Sequence, residues 1–137
     1  SVPNPVYGDA DEPVELGSGG GAWGGDGGDG GGRVRVVVGA LELEGAIRAN
    51  GGVSSGSASG DGSGGSVNVR TGSIAGSGVI SADGGTSNGA THTGGGGGRV
   101  AIRYASPAGP LPVSATAAAG DGLYGDGQPG SVFVEGP

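Results

Sequence analysis

Apolar and polar residues alternate in short runs along this chain, and the runs return at a fixed interval. Val34, Val36 and Val38 alternate with Arg33, Arg35 and Val37, and Leu41 and Leu43 alternate with Glu42 and Glu44. A two-residue period predicts strands with one buried face and one wet face. Four such runs open directly after glycine: Arg33-Val34-Arg35-Val36, Ser66-Val67-Asn68-Val69, Arg99-Val100-Ala101-Ile102 and Ser131-Val132-Phe133-Val134. They start at 33, 66, 99 and 131, so the steps are 33, 33 and 32 residues. A second column follows in phase, with Gly45-Ala46-Ile47, Gly78-Val79-Ile80 and Leu111-Pro112-Val113. A third sets Ala49-Asn50-Gly51-Gly52 over Ala82-Asp83-Gly84-Gly85, with 117–120 as a degraded copy. Three registers in one phase define an internal repeat.

Equivalent strands one repeat apart stack most simply as neighbours in a parallel sheet, each turn burying its apolar column on the next. The expected fold class is therefore all-β: a parallel, right-handed β-solenoid with coils of about 33 residues and long Gly-rich loops. Its core columns would be Val34/Val67/Val100/Val132, Val36/Val69/Ile102/Val134 and Ile47/Ile80/Val113. Residues 32–137 would supply three to four coils. Residues 1–31 read as an irregular Pro/Asp- and Gly-rich lead-in (Pro3, Pro5, Pro13, Asp9, Asp11, Glu12) with a first coil, whose short strand would be Val14-Glu15-Leu16. Gly51 to Gly65 and Gly84 to Gly98 read as loops. Gly17 to Gly32 fits either a flexible loop or packed polyproline-II segments, and the sequence leaves both open.

Composition sharpens this picture in two ways. Gly supplies 39 of 137 residues, against an average of ~7%, but without the strict every-third-residue period of collagen. The glycines cluster between valine- and isoleucine-bearing runs, which argues for strands rather than uniform disorder. All six basic residues are arginine, and the net charge is −7, which argues against nucleic acid as a partner. No stretch of 18 apolar residues occurs, so no membrane insertion is expected. Absence of cysteine removes disulfides and thiolate metal sites from consideration. With no starting methionine, the chain reads as a piece processed from a longer one.

The segments Leu16 to Gly21, Gly45 to Gly52, Gly64 to Val69, Gly76 to Gly85 and Gly94 to Tyr104 stand in an order that resembles a known type of sequence. It is similar to the glycine-rich β-solenoid repeats of large extracellular surface and filament proteins of bacteria and algae. The resemblance covers most of the chain and implies an exported, cell-surface, stalk- or filament-like protein. Its motifs are structural and carry over no catalytic residue.

The candidate chemistry is sparse. Gly24-Gly25-Asp26-Gly27-Gly28-Asp29 partly matches the calcium-binding repeat of parallel β-rolls, which makes Asp26 and Asp29 the candidate metal ligands and Ca²⁺ the one candidate cofactor. The match breaks at Gly31, where a large apolar residue belongs, and Asp beside Gly is also ordinary turn chemistry. Glu42 and Glu44 share a strand face, but their counterparts Ala75 and Ser77 do not continue an acidic groove. Arg70, Arg103 and Glu135 form a column that reads as a solvated face with a partial ion pair. His92, the sole histidine, has no partner at triad or metal spacing. Among the few aromatics (Tyr7, Trp23, Tyr104, Tyr124 and Phe133), Phe133 points outward by alternation. No enzyme is expected. The expected role is a structural repeat module, assembling by end-to-end stacking through Val132, Phe133 and Val134 onto identical or similar units. The rival expectation is an adhesive module that binds glycan, or Ca²⁺, through its Gly-rich loops.

Overall fold

A computed structural model describes residues 9–87 and 92–137; Pro3, Pro5 and Tyr7 lie outside the described residues. The fold is all-β and built mainly from parallel sheets. Strands β1 (Gly25–Asp26) and β4 (Ser55–Gly56) form a small antiparallel pair. The strands β2 (Arg33–Glu42), β5 (Ser66–Ala75), β7 (Arg99–Ser106) and β9 (Ser131–Glu135) form a parallel sheet in that order. A second parallel sheet has the order β3 (Ala46–Arg48), β6 (Val79–Ser81), β8 (Ser114–Thr116).

The register of the larger sheet is the one that the repeat predicts. Val34 pairs with Val67, Val67 with Val100 and Val100 with Val132. Two residues on, Val36, Val69, Ile102 and Val134 align in the same way. β-Branched side chains suit such columns because their stiff rotamers pack on a pleated face. Val34, Val36, Val67, Val69, Val100 and Ile102 form a single core with Ile74 and Tyr104 of the same sheet, Ile80 of the smaller sheet and Val113.

The column of the smaller sheet departs from expectation. Ile47 pairs with Ile80, but Ile80 pairs with Ala115 and not with Val113. From Arg33 to Ala46 and from Ser66 to Val79 the step is 13 residues, whereas from Arg99 to Ser114 it is 15. The connection holding Pro110 and Pro112 is longer, and prolines cannot donate to a ladder. A two-residue shift keeps the same face inward, so Val113 is buried even without its predicted partner.

The lead-in also differs. Val14-Glu15-Leu16 forms no strand; it runs over the outer face of β5 and β7. The Glu15 carbonyl accepts from Ser66 Oγ, and Pro13 is fully buried. Glu12 binds Arg70, accepts from Arg103 Nη1 at 2.6 Å and accepts from Asn68 Nδ2 at 3.0 Å. Arg103 also donates to the Asp11 carbonyl at 3.0 Å. Ser66, Asn68 and Ala101 are consequently buried on the face that alternation alone assigns to water. The Arg70/Arg103 column is thus an anchor for the lead-in, not a free solvated face. Nearby, the Asp9 carboxyl is held below its usual value, first by the Asp11 side chain and then by the Asp11 backbone N–H.

Replacing Glu12 by glutamine should loosen this strap. Glu12 and Arg70 are more than a third exposed, so screening limits the loss to about 1–2 kcal/mol despite three partners. A lower urea midpoint, together with faster proteolysis within residues 9–16, is the expected result.

The stretches read as loops are mostly ordered. Short extended segments at 17–21, 27–32, 49–52, 60–65, 82–85, 94–98, 117–120 and 127–130 hydrogen-bond side by side. Gly28 and Gly31 donate to Gly60 and Ser63; Asp61 and Gly64 donate to Thr93 and Gly96; Gly94 and Gly97 donate to Gly125 and Gln128. Donors and acceptors both advance by three residues, the period of a polyproline-II helix and not of a strand. Gly17 to Gly32, open between two readings in sequence, is therefore largely packed: Gly17 and Gly20 donate to Gly31 and Gly28. Glycine is required by proximity, since a Cβ on Gly62 would lie 1.9 Å from the Asp29 carbonyl oxygen.

Candidate functional site

The strand edges of the two parallel sheets are the most conspicuous unpartnered surfaces. Among the described residues β2 and β9 each pair on one side only, and so do β3 and β8. Val132 and Val134 are 42% and 43% exposed, while Val100 and Ile102, one strand inward in the same columns, are at 0%. At the opposite edge Val37 and Val38 are exposed. Phe133 aligns with Ala101 on the outer face, as alternation predicts, and the Arg103 guanidinium stands 5.3 Å above its ring. The Ser131 N–H bonds the Gly98 carbonyl. In a parallel ladder bonding alternates residue by residue, so Ser131 and Phe133 bond inward while the N–H and C=O groups of Val132 and Val134 face the open edge.

The two candidate metal ligands are placed apart in role. Asp26 lies in β1 opposite Ser55, and the Asp29 carbonyl accepts from the Gly52 N–H at 2.7 Å inside the glycine array. Among the described residues no group of three or more His, Cys, Asp or Glu side chains gathers to hold a metal ion.

His92 does have partners, though not ones that spacing reveals. The Ser54 N–H and Oγ–H both donate to Asp61 Oδ1 at 2.8 Å, and Ser54 Oγ lies 2.7 Å from His92 Nδ1. All three side chains are buried. The order is Asp–Ser–His, with serine in the middle. The Ser54 proton is committed to Asp61, so Ser54 Oγ accepts from His92 Nδ1–H. That arrangement holds the hydroxyl and does not activate it, because a base must take the nucleophile's proton. The cluster is a lock between the 54–61 stretch and the segment at 92–98. Truncating Asp61 to alanine strands the buried Ser54 N–H and should cost about 2–3 kcal/mol, read as a lowered denaturation midpoint.

Comparison with protein-family models, with curated proteins and with solved structures finds no match for this chain.

Proposed function

We propose that this chain is a structural β-solenoid module of an extracellular filament, stalk or surface layer, without catalytic activity, that stacks end to end on identical or similar units. The observation that carries this reading is the state of the open β9 edge. Columns of valine and isoleucine that are fully buried inside the sheet end on half-exposed Val132 and Val134, beside unpaired backbone groups that template a further strand.

The opposite edge supplies what β9 lacks. With β2 of a next copy placed one strand beyond β9 in the register of the repeat, Val132 meets Val34 and Val134 meets Val36. Ser131 then meets Arg33, the pairing that Arg99 Nη1 already makes with Ser131 Oγ at 2.9 Å. Phe133 meets Arg35, another guanidinium for its ring. Because the two edges differ, the contact is heterologous and propagates as an open filament instead of closing as a dimer. The strands at the junction are parallel, and right-handed crossovers are the rule for such connections. The surface location follows from the resemblance of the repeats to those of exported proteins.

Electron microscopy of the purified protein over a range of concentrations tests the proposal. Filaments are expected with an axial rise per copy of roughly 19 Å, four strands at ~4.8 Å each. Uniform small particles at every concentration would reject self-stacking.

A further inference from the structure

We infer that the tip of the glycine array carries a binding site for a neutral oligosaccharide, between Trp23 and Tyr124. Both rings are largely exposed, at 78% and 69%, and both line the same shallow concavity of about 420 Å³. Gly21 and Gly60 line it without side chains and Thr93 brings a hydroxyl group to it, while Ser59 is buried with its Oγ facing the Trp23 N–H. Side-chain-free backbone beside aromatic faces suits the flat, weakly apolar face of a pyranose, with the Thr93 hydroxyl to bond the ring's own.

The rings are held by hydrogen-bonded backbone. Trp23 precedes Gly24, whose φ of +78° turns the chain into β1, and the Trp23 N–H reaches Ser59 Oγ at 3.5 Å. The Tyr124 N–H donates to the His92 carbonyl at 3.2 Å, and the flanking glycines close on each other through Gly125 N–H to Gly122 O at 3.2 Å. Ala58, which also lines the concavity, holds a φ of +58°, a strained conformation of the kind found at binding sites.

Charge selects the ligand class. No arginine lines the concavity, the chain lacks lysine and its net charge is −7. Uronic, sialylated or sulfated sugars would meet repulsion with no cation to receive them. A second copy is the less favoured occupant, since neither aromatic belongs to a strand of the two parallel sheets. The site is independent of end-to-end stacking.

Trp23 is the sole tryptophan, so its fluorescence reports this site alone. Cello-, laminari-, manno-, xylo- and chito-oligosaccharides are titrated at a protein concentration below any assembly, with oligogalacturonate as the anionic comparison. At least one neutral series should give a saturable blue shift, and oligogalacturonate none. Tyr124→Ala should weaken that binding by about tenfold or more with an unchanged circular dichroism spectrum. By calorimetry Trp23→Ala should lose it and Trp23→Phe should retain it. The inference is overturned if no neutral series gives a saturable shift, if Tyr124→Ala binds as the parent does, or if oligogalacturonate binds equally well. A blue shift produced by raising protein concentration alone would assign the concavity to a second copy and overturn it as well.

Discussion

A single methyl group added at Gly95 is expected to lower the melting temperature by roughly 10 °C or more, or to prevent cooperative folding altogether. The reason is local and steric. A Cβ on Gly95 would lie 2.0 Å from the Gly62 carbonyl oxygen, 2.7 Å from its carbon and 2.9 Å from the Gly85 nitrogen. Each of those atoms is backbone. An overpacked side chain can change rotamer; a backbone segment can only move away, and Gly95 is fixed from several sides. Its N–H donates to Gly85, and its carbonyl accepts from Gly120. Displacing it therefore breaks ladders to more than one neighbour, as a single substitution disrupts the crowded glycine axis of collagen. Gly32→Ala is the control, because a Cβ there meets nothing within 4 Å. It should leave stability within about 0.5 kcal/mol. Thermal melts of the two variants beside the parent give the comparison. Equal, unperturbed melting of both would mean that the glycine segments are not packed against one another in solution.

The double substitution Val132→Lys with Val134→Lys should abolish filaments while leaving the separate molecule folded. Both side chains stand at the open end of the valine columns, at 42% and 43% exposure. In an isolated molecule the lysine stems can lie along the column with their ammonium groups in water. In a stack the same ammonium groups would be driven between Val34 and Val36 of the next copy, where an unpaired charge is costly by several kcal/mol. Each valine also loses the 1.5–3 kcal/mol or so that full burial gives a side chain of this size. Lysine on an edge strand is one of the devices by which proteins prevent strand-to-strand association. Sedimentation and electron microscopy of the variant at concentrations where the parent forms filaments provide the readout, with circular dichroism confirming the fold. Filaments of unchanged length in the double variant would place the assembly contact elsewhere.

The repeat makes much of the strand layout legible in the sequence. Two-residue alternation located β2, β5, β7 and β9, and the 33-residue step set their mutual register, because a strand shifted by one residue would turn every valine to the wrong side. The outward position of Phe133 follows from that parity alone. Val113 shows where the argument stops. A constant repeat carried across Pro110 and Pro112 keeps the face but misses the two extra residues that bring Ala115 opposite Ile80.

Three features belong to the tertiary structure. Glu12 meets Arg70 and Arg103 across some 60 to 90 positions, and nothing periodic connects them; opposite charge and an uncovered sheet face brought the lead-in there. Ser54, Asp61 and His92 meet because neighbouring glycine segments run side by side, so no motif spacing announces the cluster. The glycine segments themselves carry no side-chain pattern to read. Their order comes from backbone hydrogen bonds between segments, available only where the absence of Cβ lets main chains touch. Sequence by itself determined the strands and their register through side-chain parity, while chain-to-chain proximity decided the array, the strap and the concavity at its tip.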